Sequence, residues 1–221
     1  MNVARARAES DASTGAVEPP VELDEVTLRR AQRGDEAACR ALVERYQRPV
    51  FGLLHRMLGP HRSSRVEDLS QDTFLHVFRS LAGFAPLGPA RLSTWILTIA
   101  SRRAVDELRR EGRTGAGLAV SLGDDDAVSP ARADDGARET AVAARVAAAV
   151  ARLAPEFRAA FVLRIYHGLE YAEIARALAV DLGTVKSRLA RARAELRRAL
   201  RGERTGDDSA EPRDGEDRTD G

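Results

Sequence analysis

Apolar residues recur every three or four positions in several blocks of the chain, and this is the spacing of amphipathic α-helices. The blocks cover residues 28–58, 64–81, 92–110 and 169–200. Residues 112–135 are instead rich in Gly, Asp, Ser and Ala, as is typical of a linker. We therefore predict an all-α fold of two small helical domains joined by a flexible linker, with a helix-turn-helix in the C-terminal domain.

The final block has the pattern of two helices joined by a short turn. Apolar stripes run along both helices: Tyr171, Ile174, Ala175 and Leu178 in the first, and Val185, Leu189, Ala192 and Leu196 in the second. Ala175 is small enough to let the helices cross closely, and residues 179–181 make the turn. We expect Asp181 to cap the second helix by accepting from its free backbone amides.

That second helix is strongly basic, because seven cations between Leu182 and Arg201 oppose Glu195 alone. One sign of charge on a helix that follows a tight turn favours DNA contact over an ordinary solvated face. Side chains that point away from the apolar stripe would reach base edges in a major groove, and the remaining arginines are better placed for phosphates. We predict duplex contacts at Thr184, Lys186, Ser187, Arg188, Ala190 and Arg191.

Three short stretches of this region carry a resemblance to a known family. They are Leu-Ala-Pro-Glu-Phe-Arg at 153–158, Glu-Ile-Ala at 173–175 and Gly-Thr-Val-Lys-Ser-Arg-Leu at 183–189. Together they resemble the C-terminal DNA-binding domain of bacterial extracytoplasmic-function (ECF) sigma factors, a subfamily of the sigma-70 family. The resemblance implies a domain that reads the minus-thirty-five promoter element and contacts the flap of the polymerase β subunit.

The sequence Arg-Val-Glu-Asp-Leu-Ser-Gln-Asp-Thr-Phe at 65–74 is predicted to form a helix with a largely anionic polar face. Ser64 and Glu67 have the spacing of a capping box at its start. The stretch resembles the signature with which the family's N-terminal domain binds the clamp of the polymerase β′ subunit. The resemblance implies polymerase contacts at Glu67, Asp68, Gln71, Asp72 and Phe74.

The preceding residues 28–58 resemble the family's first helix pair. Gly34 and Asp35 are expected to separate two helices, with Asp35 capping the second. Tyr46 and Phe51 lie in the apolar pattern of the second helix, and we expect both in the core.

Residues 90–110 are predicted to form a helix with Trp95 and Ile99 facing inward and arginines on its outer side. A cationic helix beside an irregular loop at 83–89 suits single-stranded DNA. The block resembles the family's promoter-melting segment, which implies that the loop holds a flipped base of the minus-ten element. The family's usual Ala-Arg-Asn is Ala-Ser-Arg at 100–102 here, which removes an amide that could read a base. We predict minus-ten contacts at Arg91, Ser101, Arg102, Arg103, Arg109 and Arg110.

Composition narrows the picture further. The chain has 221 residues, 43% of them hydrophobic, which is enough for compact helical cores. It has no apolar run long enough to span a bilayer and no secretory segment at its start, so we expect a cytoplasmic protein without membrane insertion. Cys39 is the single cysteine, and His55, His61, His76 and His167 lack a metal-ligand spacing. We expect no metal, no cofactor and no enzymatic activity.

The net charge of +1 conceals a segregation of charge along the chain. Residues 203–221 carry eight acidic residues and three arginines, without an apolar pattern, and are predicted to be disordered. We predict a disordered extension at 1–25, a first domain at 26–112, a flexible linker at 113–138, a helix-turn-helix domain at 139–201 and an acidic disordered tail at 202–221.

These segments together predict an ECF-type sigma factor that binds core RNA polymerase and promoter DNA, serves a stress or environmental response and has an anti-sigma partner. A helix-turn-helix regulator that binds an operator without joining the polymerase would explain residues 169–200 alone. A third class is a protein-interaction module in which the basic helix binds an acidic partner. Transcript initiation separates the first class from the other two.

Overall fold

The computed structural model describes residues 22–59, 62–86, 88, 90–114 and 135–202. The acidic tail after 202 and most of the predicted N-terminal extension and linker lie outside these residues. Within the described ranges, every regular element is a helix, and this confirms the predicted all-α class.

The first four helices form the N-terminal domain. They are α1 (Glu25–Gln32), α2 (Glu36–Leu58), α3 (Ser63–Ser80) and α4 (Leu92–Thr114), with a 3-10 turn at Leu81–Gly83 after α3. Helix α2 lies at the centre and packs against the other three. The break before α2 is as predicted: Gly34 adopts a φ of +82°, and Asp35 Oδ1 accepts from the amide of Ala38 at 2.9 Å.

One side of α2 forms the core of this domain. The fully buried side chains recur at helical spacing, at Leu42, Tyr46, Val50, Leu53, Leu54 and Met57. The prediction that Phe51 joins them is wrong, because Phe51 is 40% exposed. It follows Val50 by one residue, and one residue turns a helical side chain by about 100°, away from the buried stripe.

Helix α3 begins two residues earlier than the predicted capping box requires. Ser63 is its first residue, Arg62 occupies the capping position, and no side chain caps the helix. Ser64 therefore lies inside the first turn, and the Ser64–Glu67 capping box was a wrong prediction. The Arg62 side chain is engaged elsewhere, in an ion pair with Glu111 of α4.

The C-terminal domain consists of α5 (Asp135–Arg152), α6 (Pro155–Ile165), α7 (Tyr171–Leu178) and α8 (Leu182–Gly202). Helix α8 packs against the other three, and α7 and α8 are the predicted helix-turn-helix. Pro155 starts α6 at a position where its missing amide costs no hydrogen bond. Helix α4 continues to Thr114 and α5 begins at Asp135, so both extend into the range predicted as linker.

The two domains pack against each other along what we call the domain seam, formed by α2 and α4 on one side and α5, α6 and α7 on the other. Arg158, only 7% exposed, reaches from α6 to donate to the carbonyl of Met57 on α2 and also donates to Leu153 within its own domain. The guanidinium of Arg56 lies 4.3 Å from the centroid of the Tyr166 ring, in cation–π geometry.

Candidate nucleic-acid and polymerase interfaces

The turn that sets the start of α8 is fixed on both sides. Asp181 Oδ1 accepts from the backbone amide of Thr184 at 2.7 Å, and its Oδ2 accepts from the Thr184 hydroxyl at 2.5 Å. These bonds hold the pKa of Asp181 below its usual range and confirm the predicted cap. On the other side of the turn, Ala179 has a φ of +53°, in the left-handed region.

Helix α7 starts with a capping box that the sequence reasoning missed. The Glu170 side chain accepts from the amide of Glu173, and the Glu173 carboxylate accepts from the amide of Glu170 at 2.8 Å. The Glu-x-x-Glu spacing at 170–173 was the available signal, although glutamate is an uncommon first member of this motif.

Helix α8 divides its residues between the core and solvent as predicted. Val185, Leu189, Ala192 and Leu196 are buried. Four residues on the opposite side are exposed and constitute the duplex face: Lys186, Ser187, Ala190 and Arg191. Thr184 and Arg188 are half-buried beside it. The duplex face is therefore a cationic, solvent-facing strip with small residues at its centre.

Five arginines on α4 or directly before it were predicted to contact the minus-ten element, and we call them the minus-ten face: Arg91, Arg102, Arg103, Arg109 and Arg110. Arg91 is exposed just before the first turn of α4. Arg103 lies 3.9 Å from the Asp72 carboxylate of α3. Ser101, the sixth predicted residue, is fully buried and donates to the carbonyl of Thr98, so it does not lie on this face.

Arg110 belongs to an ion-pair network between α3 and α4. Glu107 is 7% exposed and accepts from Arg65 at 2.6 Å and from Arg110 at 2.8 Å. The hydrogen bond from Arg65, followed by that from Arg110, keeps the pKa of Glu107 below its usual range against the opposing effect of burial. Arg110 is therefore paired with Glu107 of its own helix, although its side chain is 59% exposed.

Two other residues of the minus-ten face contact the C-terminal domain. Arg102 donates through Nε to the carbonyl of Ala177 at 2.7 Å and through Nη2 to the carbonyl of Arg176 at 3.0 Å. Arg109 pairs with the Glu156 carboxylate of α6 at 2.7 Å. Near the start of α4, the Thr94 hydroxyl donates to Glu173 of α7 at 3.1 Å.

The polar side of α3 has the exposure that a protein contact would need. Glu67, Asp68, Gln71 and Asp72 are all exposed and are called the acidic face here. Asp68 makes a long ion pair with Arg65, at 3.6 Å. Phe74 is 8% exposed and lies in the core, so it supports α3 from beneath rather than contributing to the surface.

An open cleft of about 460 Å³ borders the loop that follows α3. Residues of α1 and of the loop line it: Glu25, Arg29, Gln32, Arg33, Ala85 and Pro86. Gln32 Nε2 donates to the carbonyls of Leu81 and Phe84, which ties the beginning of the loop to α1. Trp95 is half-buried with its ring centroid 5.1 Å from that of Phe84, in agreement with the predicted packing role.

His167 is the buried histidine of the C-terminal domain, at 4% exposure, and its Nε2 has no hydrogen-bond partner. Burial, helped by the nearby charge of Arg56, lowers the pKa of His167 to about 4.

Among the described residues, no cluster of three or more His, Cys, Asp or Glu could hold a metal ion. No helix in the same ranges is long and apolar enough to span a bilayer.

Comparison with known proteins decides the family. Residues 42–114 match the family description "Sigma-70 region 2", and residues 143–196 match "Sigma-70, region 4". RNA polymerase sigma-H factor of Pseudomonas aeruginosa is 32% identical over 189 residues, covering 81% of this chain and 94% of the relative. ECF RNA polymerase sigma factor SigK of Mycolicibacterium vanbaalenii is 37% identical over 186 residues, covering 81% and 89%. The chain belongs to the ECF sigma factors of the sigma-70 family.

Solved sigma factor structures share the fold of this ECF sigma factor. CnrH, solved in complex with the cytosolic domain of CnrY, is 24% identical with a TM-score of 0.58 and covers 81% of this chain and 98% of its own. RpoE of Bartonella quintana, solved in complex with the anti-sigma factor NepR, is 22% identical with a TM-score of 0.55 and covers 73% and 96%.

As a sigma factor, the protein directs promoter-specific transcription initiation, and sigma factors are initiation factors rather than enzymes. The operator-binding alternative is not favoured, because the N-terminal domain as well as the helix-turn-helix matches the family. The matches also locate the surfaces: the acidic face and the minus-ten face lie in the region 2 match, and the duplex face lies in the region 4 match. Helix α1 precedes both matches.

Proposed function

We propose that this ECF sigma factor divides initiation between three surfaces. The acidic face of α3 binds the clamp of the polymerase β′ subunit, the duplex face of α8 reads the minus-thirty-five element, and the minus-ten face of α4 holds the opened minus-ten strand. The observation that carries the proposal is the opposite charge of two neighbouring surfaces of one domain, an anionic α3 and a cationic α4. These suit a basic protein partner and a nucleic acid, respectively.

The assignment of α8 is supported by the exposure of its four central residues and by the caps that fix its start. A rigid helix of this kind can enter a major groove, where Lys186 and Arg191 are able to donate to base edges or phosphates. Ser187 and Ala190 leave room between these two cations for close approach to the bases. The domain also carries the contact with the flap of the β subunit in this proposal.

The assignment of α4 rests on Arg91, Arg102, Arg103 and Arg109, with Arg110 held by its network and Ser101 left out because of its burial. The cleft beside Gln32 supports a role for the neighbouring loop in holding a flipped base.

Two weak contacts on one chain reinforce each other when the promoter spacing matches their reach. The domains at 26–112 and 139–201 act in this way as two tethered readers.

The protein supplies no chemistry of its own in this proposal; core polymerase supplies it, in the cytoplasm. An anti-sigma factor is the proposed regulator, because the similar Bartonella quintana protein was solved with one. A stress or environmental signal would release it.

Run-off transcription with purified protein and sigma-free core polymerase, on a library of genomic promoter fragments, tests the proposal. We expect discrete start sites that depend on the protein. Specific duplex binding with no core binding and no transcripts would contradict it.

The acidic face has a test of its own. Reversing one exposed charge, Glu67→Lys, should lower affinity for core polymerase by about tenfold, because complementary charge is lost at the contact. Glu44→Lys, at an exposed position of α2, is the matched control and should leave core affinity unchanged. Equal losses in both proteins would mean that net charge, and not this face, governs core binding.

A further inference from the structure

Residues 22–32 contact both ends of the loop that connects the 3-10 turn to α4. They comprise α1 and the three residues before it, and they precede the region 2 match, which begins at residue 42. In the proposed function, this loop holds a flipped base of the minus-ten strand. The groups that fix its two ends therefore bear on how the base is bound.

Glu22 fixes the end of the loop that leads into α4. Its carboxylate accepts from the amide of Ser93 at 3.3 Å and also from the Ser93 hydroxyl. Ser93 lies in the first turn of α4, where backbone amides lack partners within the helix, so Glu22 acts as a cap supplied from outside the helix. The helix dipole also favours a negative charge at this end. The cap restricts where the exposed Arg91, two residues earlier, can lie.

Tyr46 fastens Glu22 to the core of the N-terminal domain. Its hydroxyl donates to Glu22 Oε2 at 3.2 Å and accepts from the amide of Leu23 at 3.1 Å. Tyr46 is 1% exposed, and burial raises the pKa of its hydroxyl above the usual range, so the hydroxyl stays protonated and able to donate. Because a buried hydroxyl without a hydrogen bond is costly, this pairing favours the observed position of Glu22.

Gln32 fixes the other end of the loop. It is the last residue of α1, and its Nε2 donates to the carbonyls of Leu81 at 3.0 Å and Phe84 at 2.7 Å. Helix α1 has eight residues and spans about 12 Å, and its buried Leu28 and Ala31 pack it against the domain. A short helix that is packed in this way holds the two ends of the loop at a fixed separation.

Helix α1 is also one wall of the open cleft beside the loop. The cleft has a volume of about 460 Å³ and is lined by residues of both elements: Glu25, Arg29, Gln32, Arg33, Ala85 and Pro86. Because the loop forms the opposite wall, the width of the cleft depends on where residues 22–32 hold the loop.

We propose that Glu22 and Gln32 are positioning residues for minus-ten recognition, which hold the ends of the loop so that the cleft accepts a flipped base. The inference rests on the proposed role of the loop. Neither residue has to touch the strand, because Glu22 acts through Ser93 and Gln32 acts through the backbone of Phe84. The minus-ten site therefore extends beyond the region 2 match to residues 22–32.

The sign of the effect at Glu22 separates positioning from simple electrostatics. Glu22 is anionic and lies beside a surface proposed to bind nucleic acid, so removal of its charge alone should raise the affinity for any strand. Loss of a positioning contact should instead lower the affinity for the matched strand and leave a scrambled strand unaffected. The two explanations predict opposite changes for the matched strand.

Strand binding by the full-length protein bound to core polymerase tests the role of Glu22. The strands are a single-stranded minus-ten oligonucleotide from a promoter found by run-off transcription and a scrambled version of it. Glu22→Ala should lower the ratio of matched to scrambled affinity by about fivefold, because hydrogen bonds to a carboxylate are lost. Glu22→Gln keeps an acceptor for Ser93 and should restore part of the ratio. Glu36→Ala removes an exposed carboxylate at the start of α2 and is the matched control.

The same measurement tests Gln32. Gln32→Met removes both donors from a side chain of similar length and should lower the ratio by about threefold. Gln47→Met, at an exposed position of α2, is the matched control and should leave the ratio unchanged. Glu22→Ala combined with Gln32→Met should lose less than the product of the two single losses, because both residues act on one loop.

Trp95 reports on the loop without any nucleic acid. It is the single tryptophan of the chain, and its ring centroid lies 5.1 Å from that of Phe84. In the free protein, well below the melting temperature of each variant, acrylamide quenching of Trp95 fluorescence should rise in Glu22→Ala and Gln32→Met. It should stay at the wild-type value in the two control variants.

The outcomes distinguish this inference from the proposed function. If the wild-type protein prefers the matched strand and both Glu22→Ala and Gln32→Met keep or raise that preference, the inference is overturned and the proposed function stands. If the wild-type protein shows no preference, the proposed role of the loop is contradicted and the inference falls with it. A lower ratio in both variants, together with stronger quenching of Trp95, would support the inference.

Discussion

Helices α4 and α8 are both long and rich in arginine, but their arginines differ in the groups that they contact. On α4, Arg102, Arg103, Arg109 and Arg110 each have an acceptor supplied by α3, α4, α6 or α7. On α8, Lys186 and Arg191 are exposed, and the guanidinium of Arg191 lies 5.8 Å from the centroid of the Phe157 ring. Composition alone would make the two helices equivalent nucleic-acid binders.

In the proposed function, the groups that surround each cation, and not only the total charge of the helix, set how the helix binds nucleic acid. Counterion release on DNA binding needs cations that are free to reach phosphates. In the proposed function, the cations of α8 reach the phosphates directly, whereas nucleic acid on α4 competes with the carboxylates and carbonyls that its arginines contact.

The largest expected effect is a loss of duplex affinity when cations of α8 are removed. The double variant Lys186→Ala with Arg191→Ala should lower affinity for minus-thirty-five duplex by about 100-fold, because two base or phosphate contacts are lost. The comparison variant Arg193→Ala with Arg197→Ala removes two cations from the same helix and should weaken binding less, and equally for all sequences. Fluorescence anisotropy at fixed salt measures both; equal, sequence-independent losses would mean that the duplex face reads no bases.

A smaller effect should come from His167, which lies beside Arg56 of the other domain. The pKa of His167 is about 4 in the folded protein and about 6.5 in an unfolded chain, so the unfolded state binds more protons between these values. The free energy of unfolding should therefore fall by about 2 kcal/mol from pH 7 to pH 5. Urea unfolding at the two pH values measures this, and His167→Gln should flatten the difference. If the free energy of unfolding of His167→Gln keeps the same pH dependence, groups other than His167 cause the effect.

The smallest expected effect is a change in the free energy of unfolding at Ala179, in the turn before α8. Ala179 sits in the left-handed region, which glycine adopts without a side-chain clash. Ala179→Gly should raise the free energy of unfolding by about 1 kcal/mol and leave duplex affinity unchanged. Thermal unfolding and anisotropy check the two parts, and destabilisation would show that the residue at 179 contributes more than its backbone conformation.

The parts of the fold that follow from local chemistry could be predicted from the sequence. The caps at Asp35 and Asp181 and the buried stripe of α8 needed only helical spacing and the preference of aspartate for free amides. Phe51 was misjudged because an apolar residue beside a stripe looks like part of it. The cap of α3 was misjudged because Arg62 occupies the capping position without a side-chain hydrogen bond to the first turn.

The state of the candidate site could not be predicted in this way. That Ser101 is buried, that Phe74 lies beneath the acidic face, and that Arg102 reaches α7 all depend on which helices pack together. Arg102 and its acceptors are more than 70 positions apart in the chain. Sequence spacing carries no information about such contacts, so these packing partners could be found only from the structure.

The division of roles between α4 and α8 is tested most directly by footprinting polymerase bound with variant protein on one promoter identified by run-off transcription. With Arg91→Ala and Arg103→Ala together, we expect protection of the minus-thirty-five duplex to remain and permanganate reactivity of minus-ten thymines to be lost. With Lys186→Ala and Arg191→Ala together, we expect the minus-thirty-five protection to disappear. Loss of minus-thirty-five protection in the α4 variant, or its persistence in the α8 variant, would contradict the account.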